Sequence, residues 1–263
     1  FIKKVLNKLK NIFLNNFIVK SFILLFNNLR LWLDLKKDFK KFKFISKNNS
    51  DNRFVIDWKK REPHLKDKTK ETAFEPHYTY HVAWAARVLA KYTPSKHIDI
   101  SSSLNFATVV SAFIPIDFYD YRPANIYLNN LNCKSIDLLN LNFDDESIDS
   151  LSCMHVVEHV GLGRYGDTVD SDGDLKAIKE LKRVLAKKGK LLFVVPIGKH
   201  PRLAFNAHRI YSYNQVKEYF SEYKLLEYFF IYSDHKKTPI YNPDIDKLEV
   251  EDWGCGCFLF EKE

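Results

Sequence analysis

Between residues 96 and 196 short apolar stretches alternate with stretches whose apolar residues recur every three to four positions. This alternation constrains the fold more than any other feature. A helix placed between two short strands lets those strands lie parallel, with the helices covering the faces of the sheet. The pattern predicts strands over 96–100, 116–119, 135–139, 150–154 and 190–195, the last ended by Pro196. Helices are expected over 105–113 and 175–187, the second stopped at Gly189. The expected fold class is α/β, a doubly wound and mostly parallel Rossmann-like sheet.

The residues before that region have a different character. Residues 1–70 hold 19 Lys/Arg against 6 Asp/Glu, whereas the remainder holds 22 against 27, so the net charge of +8 belongs to an N-terminal arm. Within it Ile2, Val5, Leu6, Leu9, Phe13 and Phe17 recur at helical spacing, with Lys3, Lys4, Lys8 and Lys10 among them. The apolar run 12–33 is interrupted by Asn15, Asn16, Lys20, Asn27, Asn28 and Arg30, which favours lying on a membrane over crossing it. Two readings stand open: an amphipathic helix on an anionic membrane surface through residues 1–45, and a helical hairpin packed on its own domain. Nucleic acid is disfavoured, because the aromatic residues lie inside the apolar runs rather than on a polar face. The polar run 46–52 marks a boundary, giving an arm (1–45), a linker and lead-in (46–77) and an α/β domain (78–263), with a helix over 78–92 stopped by Pro94. A chain that opens on Phe1 rather than Met leads us to expect residues before it.

Four cysteines in 263 residues make no disulfide framework and point to a reduced, cytoplasmic protein, with membrane association left to the arm. Cys255 and Cys257 lack the spacing and the second ligand pair of a zinc site, so no metal is assigned.

Function is concentrated in the stretch Leu151 to Asp174, a strand running into a loop with His155, Glu158, His159, four glycines and four aspartates. Ligands of open α/β sheets bind at the carboxyl ends of the strands, which is where this loop falls. Acids also end other strands: Asp99 before the turn Ser101-Ser102-Ser103, Asp120 twenty-one residues later, and Asp137. No G-x-G-x-x-G follows the first strand, where a dinucleotide fingerprint would stand, which argues against a nicotinamide dinucleotide; the one such spacing, Gly161 to Gly166, falls in the later loop. With serine where a glycine would be expected, the turn should hold a negative φ at Ser101.

This order of acids resembles the class I S-adenosylmethionine-dependent methyltransferases. Within them the chain is similar to a branch marked by E-H-x-G-L-G-R-Y-G-D, present here from Glu158 to Asp167, and by F-N-A-H-R, present from Phe205 to Arg209. The closing D-W-G-C-G-C-F-L-F-E-K, from Asp252 to Lys262, matches the same branch. The resemblance spans residues 78–262 and departs at the first turn, which reads D-I-S-S where the branch reads D-I-G-S. It implies S-adenosyl-L-methionine as cofactor. Asp99 and Ser101, Ser102 and Ser103 would face its methionine part, Asp120 its ribose, and Asp137 with Leu138 its adenine, while His155 would line the cleft. Glu158, Arg164, Tyr165, Asp167 and Arg209 would hold the acceptor, the two arginines gripping a phosphate or carboxylate. His208 is the first choice of catalytic base, because histidine ordinarily titrates near neutrality, and His159 the second. Asp167, Asp170, Asp172 and Asp174 could instead hold a hard cation, the less favoured reading of an acidic loop. By analogy the acceptor is a sugar or phosphosugar precursor of a surface polysaccharide, methylated on oxygen. The alternative is a scaffold protein that keeps the fold and has lost the cofactor. The loop at 158–167 and the segment at 205–209 should close one pocket, since each follows a strand of the same sheet.

Overall fold

The computed structural model describes residues 2–48, 53–248 and 252–263, with side chains from residue 19 onward. It divides into two compact units, Phe1–Ala73 and Phe74–Glu263.

In the first unit, α1 (Ile2–Asn48) is one helix of 47 residues rather than a hairpin. Neither glycine nor proline occurs before Pro63, so nothing in the covalent chain interrupts it. At about 1.5 Å per residue it is roughly 70 Å long. The expected apolar face from Ile2 to Phe17 falls on side chains outside those described. Beyond it, Phe22, Ile23, Leu24, Leu25 and Phe26 are all exposed, and five consecutive helical residues point all round the axis. A single apolar stripe is therefore not what this part of the helix carries. Residues 46–77 are also more than a linker. A 3₁₀ turn at Trp58–Lys60, capped by the Asp57 carboxylate, returns to α1, where Trp58 meets Phe39 edge-to-face at 5.0 Å. The Arg61 guanidinium lies 4.6 Å from the Trp58 ring and 5.6 Å from Trp32. Among the described residues no helix is long and apolar enough to cross a membrane.

The second unit opens with α2 (Pro76–Tyr92). Glu75 caps it by accepting from the Tyr78 N–H, and Pro76 occupies a position where no N–H is needed. Thr93, at φ 45°, ends it before Pro94. Then follow β1 (His97–Ile100), α3 (Leu104–Val110), β2 (Ile116–Asp120), β3 (Leu131–Ser135), β4 (Ile148–Met154), α4 (Gly173–Val184) and β5 (Leu185–Ile197). The chain continues through β6 (Arg202–Ala204), β7 (His208–Ile210), α5 (Tyr213–Tyr219), β8 (Tyr223–Tyr232), β9 (Ile240–Tyr241) and β10 (Gly254–Lys262). Eight strands form one sheet in the order β3-β2-β1-β4-β5-β10-β8-β9, while β6 and β7 form a separate hairpin. β1 is parallel to β2 and β4, and β4 to β5, whereas β10 inserts antiparallel between β5 and β8. Both faces are covered: Trp84, Phe106 and Leu192 belong to one buried cluster, and Leu181, Phe193, Phe220 and Phe258 to the other.

The third strand lies earlier than the expected 135–139. Asp137 accepts the Leu139 N–H at 2.9 Å and its carbonyl accepts the Asn140 N–H at 3.0 Å, which turns residues 137–140 out of the sheet. A polar chain crosses the buried centre. The His97 ring reaches Ser150 Oγ at 2.8 Å and Ser152 Oγ at 2.9 Å, and Ser152 Oγ donates to the Asp99 carboxylate. Burial lowers the His97 pKa to about 3 and raises that of Asp99 to about 7.

Candidate active site

Strand order reverses between β1 and β4, and the loops that follow them diverge there to leave a crevice. It is occupied by a cavity of about 330 Å³, within the size range of small-ligand sites. Ser101 after β1, Asp120 at the end of β2, Asp137 and Leu138 after β3, and His155 after β4 all line it. His159, Tyr165 and Asp167 complete the wall from the loop after β4. Eight of the fifteen residues expected at the site are thus brought to one cavity.

Ser101 is held at φ 53°, in the left-handed region, contrary to the negative φ expected. Its N–H and its Oγ–H both reach the Tyr119 carbonyl, at 2.6 and 3.0 Å, and these bonds offset the cost of that backbone for a serine. His155 is the second left-handed residue at a strand end, at φ 59°. Asp120 accepts the Arg122 N–H through Oδ1 at 2.7 Å. Asp167 receives three backbone N–H groups, from Gly161 (2.9 Å), Gly163 (3.3 Å) and Tyr165 (3.1 Å). Burial would raise its pKa, but these donors outweigh that and lower it. Gly161, Gly163 and Gly166 all have positive φ, which lets the loop curl around that carboxylate.

Beneath the cavity is a cluster that composition alone does not reveal. His155 Nδ1 lies 3.0 Å from Glu158 Oε1, and its Nε2 3.3 Å from Cys255 Sγ. The Tyr78 ring stacks on His155 at 5.4 Å, and the rings of His81 and His77 lie 5.0 and 6.3 Å away. Burial lowers the pKa of His77 to about 4 and of His81 to about 3, so both are neutral imidazoles. For His155 burial acts downward too, but Cys255 and Glu158 raise it to about 10. Burial holds Cys255 as a thiol, so the carboxylate is the partner that counts at neutral pH. Glu158 is 1% exposed, and its Oε2 has no hydrogen-bond partner.

Several expected residues lie elsewhere. Asp99 is wholly buried in the sheet network and does not line the cavity. Ser102 points inward, its Oγ accepting the Met154 N–H at 3.1 Å, and Ser103 is spent as the residue before α3. Glu158 does not line the cavity and reaches the site through His155 at 3.0 Å and His159 at 3.8 Å. Arg209 is turned away: it donates to the carbonyls of Val160 (2.7 Å) and Ser171 (3.1 Å) and pairs with Asp174 at 3.4 Å. It joins loops and has no free edge for an acceptor. His208 packs 5.1 Å from Trp253 and 6.3 Å from His159, outside the cavity wall, and burial lowers its pKa. The two segments expected to close together do meet, but through backbone. The Ala207 carbonyl accepts from His159 Nδ1 at 2.6 Å and from Arg164 Nη1 at 2.9 Å. Among the described residues no three His, Cys, Asp or Glu are placed to hold a metal ion. In the acidic loop Asp170 is paired with Lys176 and Asp174 with the Tyr211 hydroxyl. Sequence reasoning missed Arg122, which lines the cavity, and the Tyr78-His81 wall. Signals were present in both cases, since Arg122 follows Asp120 by two residues and His77 and His81 are one helical turn apart.

Residues 128–250 match the family described as "Caenorhabditis protein of unknown function, DUF268". No curated protein matches the chain. Among solved structures, the Burkholderia thailandensis 1,6-didemethyltoxoflavin-N1-methyltransferase, with bound 1,6-didemethyltoxoflavin and S-adenosylhomocysteine, superposes with a TM-score of 0.53 at 8% identity, covering 70% of this chain and 79% of that one. A putative sarcosine dimethylglycine methyltransferase from Galdieria sulphuraria (TM-score 0.49, 14% identity) and the N-methyltransferase NodS from Bradyrhizobium japonicum WM9 (0.48, 14%) each cover 70% of this chain and 86% of their own. With the strand order β3-β2-β1-β4-β5-β10-β8 and the antiparallel β10, the fold of the second unit is the Rossmann-like fold of the class I methyltransferases.

Proposed function

We propose that the second unit is an S-adenosylmethionine-dependent methyltransferase that methylates a hydroxyl of a small polar acceptor, a sugar or phosphosugar. The observation that carries this reading is the convergence of four strand ends, through Ser101, Asp120, Asp137 with Leu138, and His155, on a single cavity. Their chemistry fits the cofactor. Asp120 has an oxygen beyond the one given to Arg122 with which to accept a ribose hydroxyl, and Ile136, Leu138 and Leu139 offer an apolar bed for adenine. When bound, the cofactor supplies an electrophilic methyl group, so the protein's task is to position the acceptor and to take its proton.

His159 is the base in this proposal, in place of His208. A carbonyl oxygen can only accept, so the 2.6 Å contact with Ala207 places the proton on Nδ1 and leaves Nε2 with its lone pair. The acceptor O–H passes its proton to Nε2. Glu158 Oε1, 3.8 Å from Nε2, stabilises the resulting imidazolium. The role of F-N-A-H-R is then to supply the Ala207 carbonyl that orients the base.

Calorimetric and thermal-shift titration with S-adenosylhomocysteine tests the reading. Ligand at a hundred times its Kd should stabilise the chain by about 2.7 kcal/mol, and Asp120→Ala should abolish the effect. In turnover assays, His159→Gln should lower kcat roughly 10²- to 10⁴-fold with S-adenosylhomocysteine affinity intact, and His208→Ala should not. A folded protein that shows no shift at millimolar S-adenosylhomocysteine would refute the proposal.

A further inference from the structure

Two arginines share the Tyr165 ring. The guanidinium carbon of Arg122 lies 5.0 Å from its centroid and that of Arg164 lies 5.1 Å from it, so the two charges are within about 10 Å of each other. Arg122 lines the cavity, and Tyr165 forms its wall while remaining 40% exposed. Among the described residues neither arginine is paired with a carboxylate, whereas Arg183, Arg202 and Arg209 all are.

The nearby acids do not neutralise them. Asp120 gives one oxygen to the Arg122 backbone rather than to its side chain, and Asp167 is occupied by the N–H groups of Gly161, Gly163 and Tyr165. A guanidinium resting on an aromatic face keeps its N–H edge free, and that edge matches two oxygens of a phosphoryl group. Arg164 is steadied by donating one N–H to the Ala207 carbonyl, the same oxygen that orients His159. Anion grip and base therefore hang from one backbone atom.

We infer that Arg122 and Arg164 form an anion clamp at the edge of Tyr165, and that the acceptor carries a phosphoryl group. This rests on the methyltransferase reading for the word acceptor, but the clamp can be tested apart from it. The measurement is a ¹H–¹⁵N titration of the arginine Nε–H signals of the full chain with inorganic phosphate, against sodium chloride at equal ionic strength and against glucuronate. Phosphate should move the Arg122 and Arg164 signals beyond the chloride control, and Arg122→Gln should weaken phosphate binding tenfold or more while S-adenosylhomocysteine affinity stays within threefold. No movement beyond the chloride control overturns the clamp. So does an Arg122→Gln variant that loses S-adenosylhomocysteine and keeps phosphate, which would give Arg122 to the cofactor, and so does tighter binding of glucuronate than of phosphate. Phosphate binding in a protein that fails to bind S-adenosylhomocysteine would sink the methyltransferase reading and leave the clamp standing.

Discussion

Acidification should unfold the second unit steeply, with a slope set by four buried groups. His77, His81 and His97 are 4%, 0% and 0% exposed, and burial holds their pKa values at about 4, 3 and 3. In the unfolded chain each would titrate near 6.5, so between pH 6.5 and 4 unfolding takes up three protons at these sites. Asp99 opposes them. Burial raises it to about 7, so it is protonated in the folded protein and ionised in the unfolded chain across the same window. The net uptake is two protons, and stability falls as pH falls by about 2.7 kcal/mol per unit. A domain stable by roughly 5–15 kcal/mol loses a large share of that by pH 5. Above neutrality His155 acts in the other sense: raised to about 10, it contributes stability that is complete below 6.5 and lost as pH rises through 10. The assay is denaturant unfolding of the full chain between pH 5 and 7, followed through the buried Trp84. His81→Leu should cut the slope to one proton, and Asp99→Asn should raise it to three. A flat profile, or a slope unmoved by both substitutions, would refute the assignment of neutral buried histidines.

Gly161→Ala should destabilise the site loop by about 3 kcal/mol, since φ is 79° and an added Cβ would overlap the Asp170 carbonyl oxygen; thermal melting measures it, and a shift below one degree would contradict the packing. Arg209→Ala should lower stability by about 3 kcal/mol, because it leaves the nearly buried Asp174 carboxylate without its cation, while S-adenosylhomocysteine affinity in the surviving folded protein stays unchanged. The arm should carry the chain onto vesicles of anionic lipid and release it in high salt, each Lys or Arg near the surface contributing about 1 kcal/mol; equal sedimentation by a chain lacking residues 1–45 would refute this.

The sheet was legible because its signal is local. β1, β2 and β4 are short apolar runs, each within a few residues of its expected place, whereas β5 starts at Leu185 inside the expected helix, takes in Gly189 and runs past Pro196 to Ile197. Errors arose where a side chain redirects the backbone. Ile136, Leu138 and Leu139 continue an apolar run that places Asp137 inside a strand, yet its carboxylate caps the Leu139 N–H and the strand ends at Ser135. The strands β6, β7, β8 and β9 and the helix α5 carry mixed sequences whose state depends on their partners: the apolar side of β8 is specified by β10, which lies about thirty residues later. In α1 the composition of the arm was plain, but a helix with exposed Phe22 to Phe26 all round it gives no single face for periodicity to find.

For the site, residue types led to the cavity, while several of the side chains they singled out are committed to other contacts. Asp120, Asp137, His155 and His159 were found because a strand end in a parallel sheet fixes where the next side chains point. His208 and Arg209 were named for their chemistry, as a base and an anion grip, although β7 commits one ring to Trp253 and one guanidinium to loop carbonyls. What that segment delivers is the carbonyl of Ala207, whose side chain carries no chemistry, and a backbone oxygen leaves no letter in the sequence. Arg122 was passed over for the converse reason. Its side chain has the chemistry, but its value comes from lacking a carboxylate partner, which only the positions of Asp120 and Asp167 reveal. In this fold the strand ends say where catalysis would occur, and the loops between them decide by backbone contacts which of the nearby polar residues remain free to take part.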